Sequence, residues 1–456
     1  MAALRIFVGL VIVAITWASM VATLVTPRGR SPFQFVGRTV SRSTRRLIVA
    51  ISRLAKKFEI KDSILATIGP VALLAQLVAF LSLFLVGYTL AMWPYAGRIA
   101  VAVRQAGSSM FTVGLAHVSG QSSDVLVILA AATGAVAIAL QIGYLPAIYQ
   151  AFNRRESLVT LMEARAGLPA WGPELIARHL LVQTLDALPG LYHDWEQWAA
   201  EVSESHTSYP VLLYFRSPEP WYSWVLALLA VLDACAIQLA LTPSTAPSEA
   251  RMCLRMGFTC LRRIASTLHW AFDPDPLPDG PITLTFEEFA YAVDVLIGVG
   301  FVTERTAAEA WPHFRGWRVN YESIAYRLAD RVVAPHAPWS GERRHLDESL
   351  QMPMRPPHRS PDGTTREEGR HRPRPGVSSV ARTTKKLRAG PGPRAAPAAP
   401  AATADSGLSL TGGDVGGGSA VPPGEPSPVE VLSDDLPGTL EAQLEQLEDL
   451  QPRRSE

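Results

Sequence analysis

A chain of 456 residues with 36 prolines and a formal net charge of +1 is long enough for two or three structural units. Its 42 basic residues are nearly balanced by 41 acidic ones, which gives no indication of a nucleic-acid partner. The three cysteines, Cys235, Cys253 and Cys260, lack paired ligand spacing, so buried reduced thiols are expected.

Three charge-free stretches dominate the first third of the chain: Ile6 to Thr26, Ser63 to Gly97 and Val125 to Asn153, of 21, 35 and 29 residues. Each reaches the roughly 20 residues that a spanning helix needs, so three transmembrane helices are expected. The first is too long for the core of a signal peptide, and most of its flanking positive charge follows it rather than precedes it. Residues 1–27 are therefore read as a transmembrane helix, 28–62 as a basic linker and 63–153 as a membrane unit.

The linker carries ten Lys or Arg against two acids, whereas Pro94 to Ser123 carries only Arg98 and Arg104. The positive-inside rule places the linker in the cytoplasm, the N-terminus outside, and everything after Asn153-Arg154-Arg155 in the cytoplasm. The expected location is the cell (plasma) membrane, with a multi-pass topology in the lipid bilayer. Trp221 to Leu241 is apolar enough to cross, but Asp233 near its middle makes insertion costly by about 2.5–3.5 kcal/mol. It is expected to be a buried helix within a cytoplasmic α-helical domain spanning 154–339.

In that domain, helices are expected over Arg154 to Ala166, Pro173 to Leu188, Trp195 to Ser205, Ser248 to Trp270 and Thr285 to Leu296, from apolar residues at helical spacing. His193, Asp194 and Glu196 read as a capping cluster at a helix start rather than a metal site. From 340 to 456, Pro, Gly, Ala, Arg and Ser leave too little apolar surface to offset the entropy of ordering, so a disordered tail is expected. Leu440, Leu444 and Leu447 with Glu441, Glu445 and Glu448 would make one short amphipathic helix on meeting a protein partner.

The polar insert between the second and third spans reads Ser108-Ser-Met-Phe-Thr-Val-Gly-Leu-Ala-His117. Polar, Gly-containing backbone between spans suits a re-entrant loop, because non-helical backbone at membrane depth persists only where it lines water or protein. A short helix over Arg98 to Ser109 would precede extended backbone at Thr112, Val113, Gly114, Leu115 and Ala116. Ser108, Ser109, His117 and Asp124 would line the outer mouth. Gly134, in the first half of the third span, stands either as a hinge or as a site of close helix packing.

Thr112-Val-Gly-Leu-Ala116 resembles the potassium-channel filter Thr-Val-Gly-Tyr-Gly, and helix, loop, helix and charged exit follow in the same order. Ile142-Gly-Tyr-Leu-Pro146 and Ala151-Phe-Asn-Arg-Arg-Glu156 resemble a family of actinobacterial channel-like membrane proteins. The resemblance implies an all-α membrane protein with an extra N-terminal helix before a potassium-channel-like unit. It further implies a homotetramer with residues 112–116 around the axis, and potassium or another monovalent cation as permeant ion. Leu115 stands where the family has Tyr, Ala116 where it has Gly, and His117 where it has Asp. A Cβ at Ala116 disfavours left-handed backbone by about 1–2 kcal/mol. No nucleophile elbow, voltage-sensing arginine series or nucleotide-binding loop is present, so neither an enzyme nor a cofactor is expected.

Overall fold

The computed structural model describes residues 1–25, 33–114 and 121–341. All of these belong to one compact unit, Met1–Arg374; the second unit, Pro375–Glu456, and with it the expected tail helix, lies outside the described residues. The described residues form α-helices and two 3-10 turns, with no strand among them.

In the membrane unit, α1 (Ala2–Leu24), α4 (Ile68–Ala96) and the first half of α6 (Gln121–Ala166) coincide with the three charge-free stretches. Backbones approach closely where glycines meet: a Cβ on Gly9 of α1 would lie 2.5 Å from the Gly87 carbonyl oxygen of α4. Small residues serve this purpose because lipid supplies no hydrophobic drive between helices, leaving van der Waals packing and hydrogen bonds. The hydrogen bonds converge on Thr133 of α6, whose hydroxyl lies 2.7 Å from Tyr88 Oη of α4 and accepts from Trp17 Nε1 of α1 at 3.3 Å. Arg5 stacks on Trp93 at 4.1 Å, so α1 and α4 run antiparallel.

The basic segment is more ordered than a linker. It folds as α2 (Phe35–Ser52) and α3 (Phe58–Ala66). Gly37 and Ile48 turn inward, and Gln34 donates to the Ala22 carbonyl at 2.8 Å. Nor does a helix start at Arg154: α6 runs unbroken for 46 residues, past Pro146, out of the membrane unit and into the domain. At 1.5 Å per residue its length is about 69 Å.

The remaining helices are α7 (Gly172–Leu181), α8 (Leu188–Ser208), α9 (Trp224–Leu241), α10 (Ser248–Thr267), α11 (Phe286–Gly298), α12 (Ala307–Arg318) and α13 (Glu322–Val332). α11 and α12 begin with capping boxes, Thr285 with Glu288 and Thr306 with Glu309, each satisfying two otherwise orphaned N–H groups. α8 starts at Leu188, seven residues before the expected Trp195, so His193 and Asp194 lie inside the helix rather than at its cap. His193 pairs with Gln197 at 2.9 Å, and no three-residue metal cluster occurs among the described residues.

α9 is as apolar as the membrane helices, yet 94% of its apolar window is inside the protein, against 33–39% for the other three. A helix hydrophobic on every side is either a membrane span or a domain centre, and here the domain surrounds it. Asp233 is not isolated. Arg318 of α12 pairs with it, and Tyr321 donates to Asp233 Oδ1 at 2.7 Å. Arg318 is fully buried, bonds Glu322 (2.6 Å), Tyr326 Oη (2.8 Å) and the Trp339 carbonyl (2.9 Å), and is flanked by the rings of Phe314, Tyr321, Tyr326 and Trp339. The cysteines are buried and unpaired as disulfides; burial pushes the Cys260 thiol up to about 12, keeping it protonated.

Two arginine contacts tie α2 and α3 to the domain. Arg45 donates to the Arg331 carbonyl (2.8 Å), and Arg216 pairs with Asp62 of α3 while donating to the Val332 carbonyl (2.6 Å). The basic segment and the helical domain therefore occupy the same end of the membrane helices. Arg318→Met should destabilise the protein by about 3–5 kcal/mol, because Asp233 and Glu322 would stay buried without a counter-charge. Arg318→Lys should not restore stability, since one ammonium cannot reproduce the guanidinium fork. Thermal unfolding in detergent micelles reads both outcomes.

Candidate functional site: the half-length helix α5

Gly97, with φ +71, ends α4, and Arg98 in extended conformation leads into α5 (Ile99–Met110). Twelve residues span about 18 Å, well short of the roughly 30 Å hydrocarbon core. Ala102, Ala106 and Met110, at helical spacing, are at most 1% exposed and seat α5 on its neighbours α4 and α6.

The C-terminus of α5 reaches deep along both long helices. A Cβ on Gly107 would lie 3.7 Å from Leu85, near the middle of α4, and one on Gly134 would lie 2.0 Å from the Met110 carbonyl oxygen. Gly134 is 13 residues into α6, so α5 ends about 20 Å along that helix. The glycine is thus required for close approach: any side chain there would displace the end of α5.

The helix stops in a Schellman turn. Val113 N–H donates to the Ser108 carbonyl (2.9 Å) and Thr112 N–H to the Ser109 carbonyl (3.1 Å), with Thr112 left-handed at φ +51. Thr112 is therefore the capping residue of α5 rather than the first extended residue of the loop. Its hydroxyl donates to the Phe111 carbonyl at 2.8 Å. Gly114 also has positive φ, +72. Thr112, Val113 and Gly114 are exposed, whereas Ser108 and Ser109 are buried and Ser109 Oγ donates back to the Gln105 carbonyl at 2.8 Å. Leu115, Ala116 and His117 lie outside the described residues. Asp124 is exposed in the first turn of α6, where a carboxylate complements the helix dipole.

Two features escape a reading of the sequence. Gln105 is 1% exposed, and its side-chain amide has no hydrogen-bond partner among the described residues; it is one glutamine in a mixed stretch. The Trp17, Tyr88 and Thr133 cluster joins residues up to 116 positions apart, beyond any local periodicity.

No family model matches the chain, and no curated protein or solved structure matches it. Gly134→Val should dislodge α5 at a cost of about 1–3 kcal/mol, the usual penalty of overpacking. Faster thiol labelling of a Ser109→Cys reporter in the Gly134→Val background would register that movement; unchanged labelling would mean α5 tolerates the side chain.

Proposed function

We propose that this is a pore-forming membrane protein of potassium-channel-like layout, in which α4, α5 and α6 form the repeating unit and α5 with the loop after it re-enters the membrane. The observation that carries the reading is the depth of α5: its Met110 carbonyl lies against Gly134, about 20 Å along α6, and its Gly107 packs near Leu85, close to the middle of α4. A helix C-terminus carries about half a negative charge, which favours a cation near its end. This supplies at mid-depth what the outer segment lacks, since no Asp or Glu occurs from Ser63 to Ser123.

The exposed residues Thr112 to Gly114 are left for an axis shared by four copies, with Leu115 and Ala116 completing the filter, and potassium or another monovalent cation is the permeant ion. The sidedness follows from charge. The basic α2–α3 segment lies in the cytoplasm and the helical domain docked to it lies there too, with the N-terminus and Asp124 outside.

A second reading, a non-conducting membrane scaffold or sensor built on the same layout, is favoured by two particulars. Thr112 is committed to capping α5, and Ala116 replaces the glycine of the resembling filter. Potassium flux into liposomes holding the purified protein separates the two. The pore reading expects flux that Gly114→Asp abolishes; absence of flux in the native protein, with flux appearing only in Leu115→Tyr combined with Ala116→Gly, favours the scaffold.

A further inference from the structure

Where α6 enters the helical domain, its Arg155 is wholly buried and makes four hydrogen bonds and one ion pair. Nε donates to Glu156 Oε1 (2.8 Å), Nη1 to the Leu212 carbonyl (3.0 Å) and to His206 Nε2 (3.1 Å), and Nη2 to the Phe215 carbonyl (2.7 Å), while Nη2 and Glu156 Oε1 form an ion pair at 2.6 Å. Leu212 belongs to the 3-10 turn Pro210–Tyr214, directly after α8, and Phe215 follows it. One guanidinium thus holds α6, the end of α8 and this turn together. On the other face, Trp198 Nε1 of α8 donates to the Arg155 carbonyl at 2.9 Å.

An arginine side chain has no acceptor and stays charged, so His206 Nε2 must present a lone pair. His206 is therefore neutral, with its proton on Nδ1, 3.1 Å from Ser205 Oγ. We propose that the Arg155–His206 contact is a proton-sensitive joint: acidification protonates His206, sets two cations against each other, and releases residues 205–216 from α6.

Among the described residues, no carboxylate is hydrogen-bonded to the imidazole to absorb the second proton. On α6, Glu156 is the neighbouring acid, and its Oε1 already accepts from Arg155 Nε and is ion-paired with Nη2, while its Oε2 is buried and unbonded among the described residues. α9 offers the Trp224 ring, 5.1 Å from the imidazole, and the 3-10 turn offers carbonyls that Arg155 occupies. The remaining ion pair on the seam of α6 and α8, Arg154 with Glu201, has side chains about 60% exposed. Burial first, and the Arg155 charge second, hold His206 well below its ordinary 6.5. A histidine with a depressed value costs nothing above 6.5. Below it, the released form takes up a proton that the closed form refuses, so closure weakens as pH falls. This inference does not depend on whether the protein conducts.

Hydrogen–deuterium exchange of the full chain in nanodiscs at pH 7.5 and pH 5, corrected for intrinsic rates, tests it. Each unit of depression is tenfold in the opening equilibrium, so exchange across 205–216 should rise at least about tenfold at pH 5. In His206→Gln, whose amide oxygen can still accept from Arg155 but cannot titrate, it should stay the same. Equal rises in both proteins, or no rise in the native one, overturn the proposal. If His206→Gln fails to fold, exchange at imidazole C2 of His206 in the native protein gives its titration directly. A midpoint at or above 6.5 overturns the proposal, and a midpoint well below it with concurrent opening of 205–216 supports it.

Discussion

Arg318 reaches the middle of the most enclosed helix in the protein and meets Asp233 there, with Tyr321 donating to the same oxygen. By composition α9 belongs in a bilayer, and in a bilayer that carboxylate would be an expensive passenger. Held by Arg318 it becomes an anchor that docks α12 and α13 around α9. Much depends on this. With α9 inside the domain, three helices rather than four are left with an apolar surface that the protein does not cover. The contacts of Arg45 and Arg216 agree with that arrangement, because the α2–α3 segment and the domain are separated by two long apolar helices, α4 and α6, and meet at one end of them.

The sequence is legible where one signal dominates. Absence of charge over 20 residues or more locates α1, α4 and the upper part of α6, and the Asp233 argument separates α9 from them. The capping threonines Thr285 and Thr306 stand before α11 and α12, though only the first of these helices was expected. α12 carries Pro312 within it and α2 carries Gly37 and four arginines with no acid before its apolar run at Leu47, so local rules underrate both. Tertiary contact decides them instead: Phe314 is fully buried, and α2 is held through Gln34, Gly37 and Ile48.

The candidate site divides in the same way. The existence and length of α5 follow from Ala102, Ala106 and the flanking polar residues, and the structure extends it by one residue past Ser109. Its depth does not follow from any local pattern. It is set by Gly134, which admits the Met110 carbonyl, and this also explains why a hinge and a packing glycine look alike in sequence: both are simply a missing Cβ. Thr112 shows the reverse problem. A residue chosen for resemblance to an ion-binding threonine has its backbone N–H engaged in ending a helix, a role that depends on the two residues around it rather than on a motif.

The continuity of α6 has a mechanical consequence. A single rod of about 69 Å passes from the level of Asp124 to the centre of the domain, and Pro146 interrupts its ladder by removing the donor to the Ile142 carbonyl. Stiff on both sides and compliant at one place, such an element behaves as a pivoted beam. A tilt of roughly 5° beyond the pivot, over the 20 residues or about 30 Å that follow it, moves the far end by about 3 Å. The domain is therefore geared to the membrane helices by geometry, whatever chemistry is eventually found to push it.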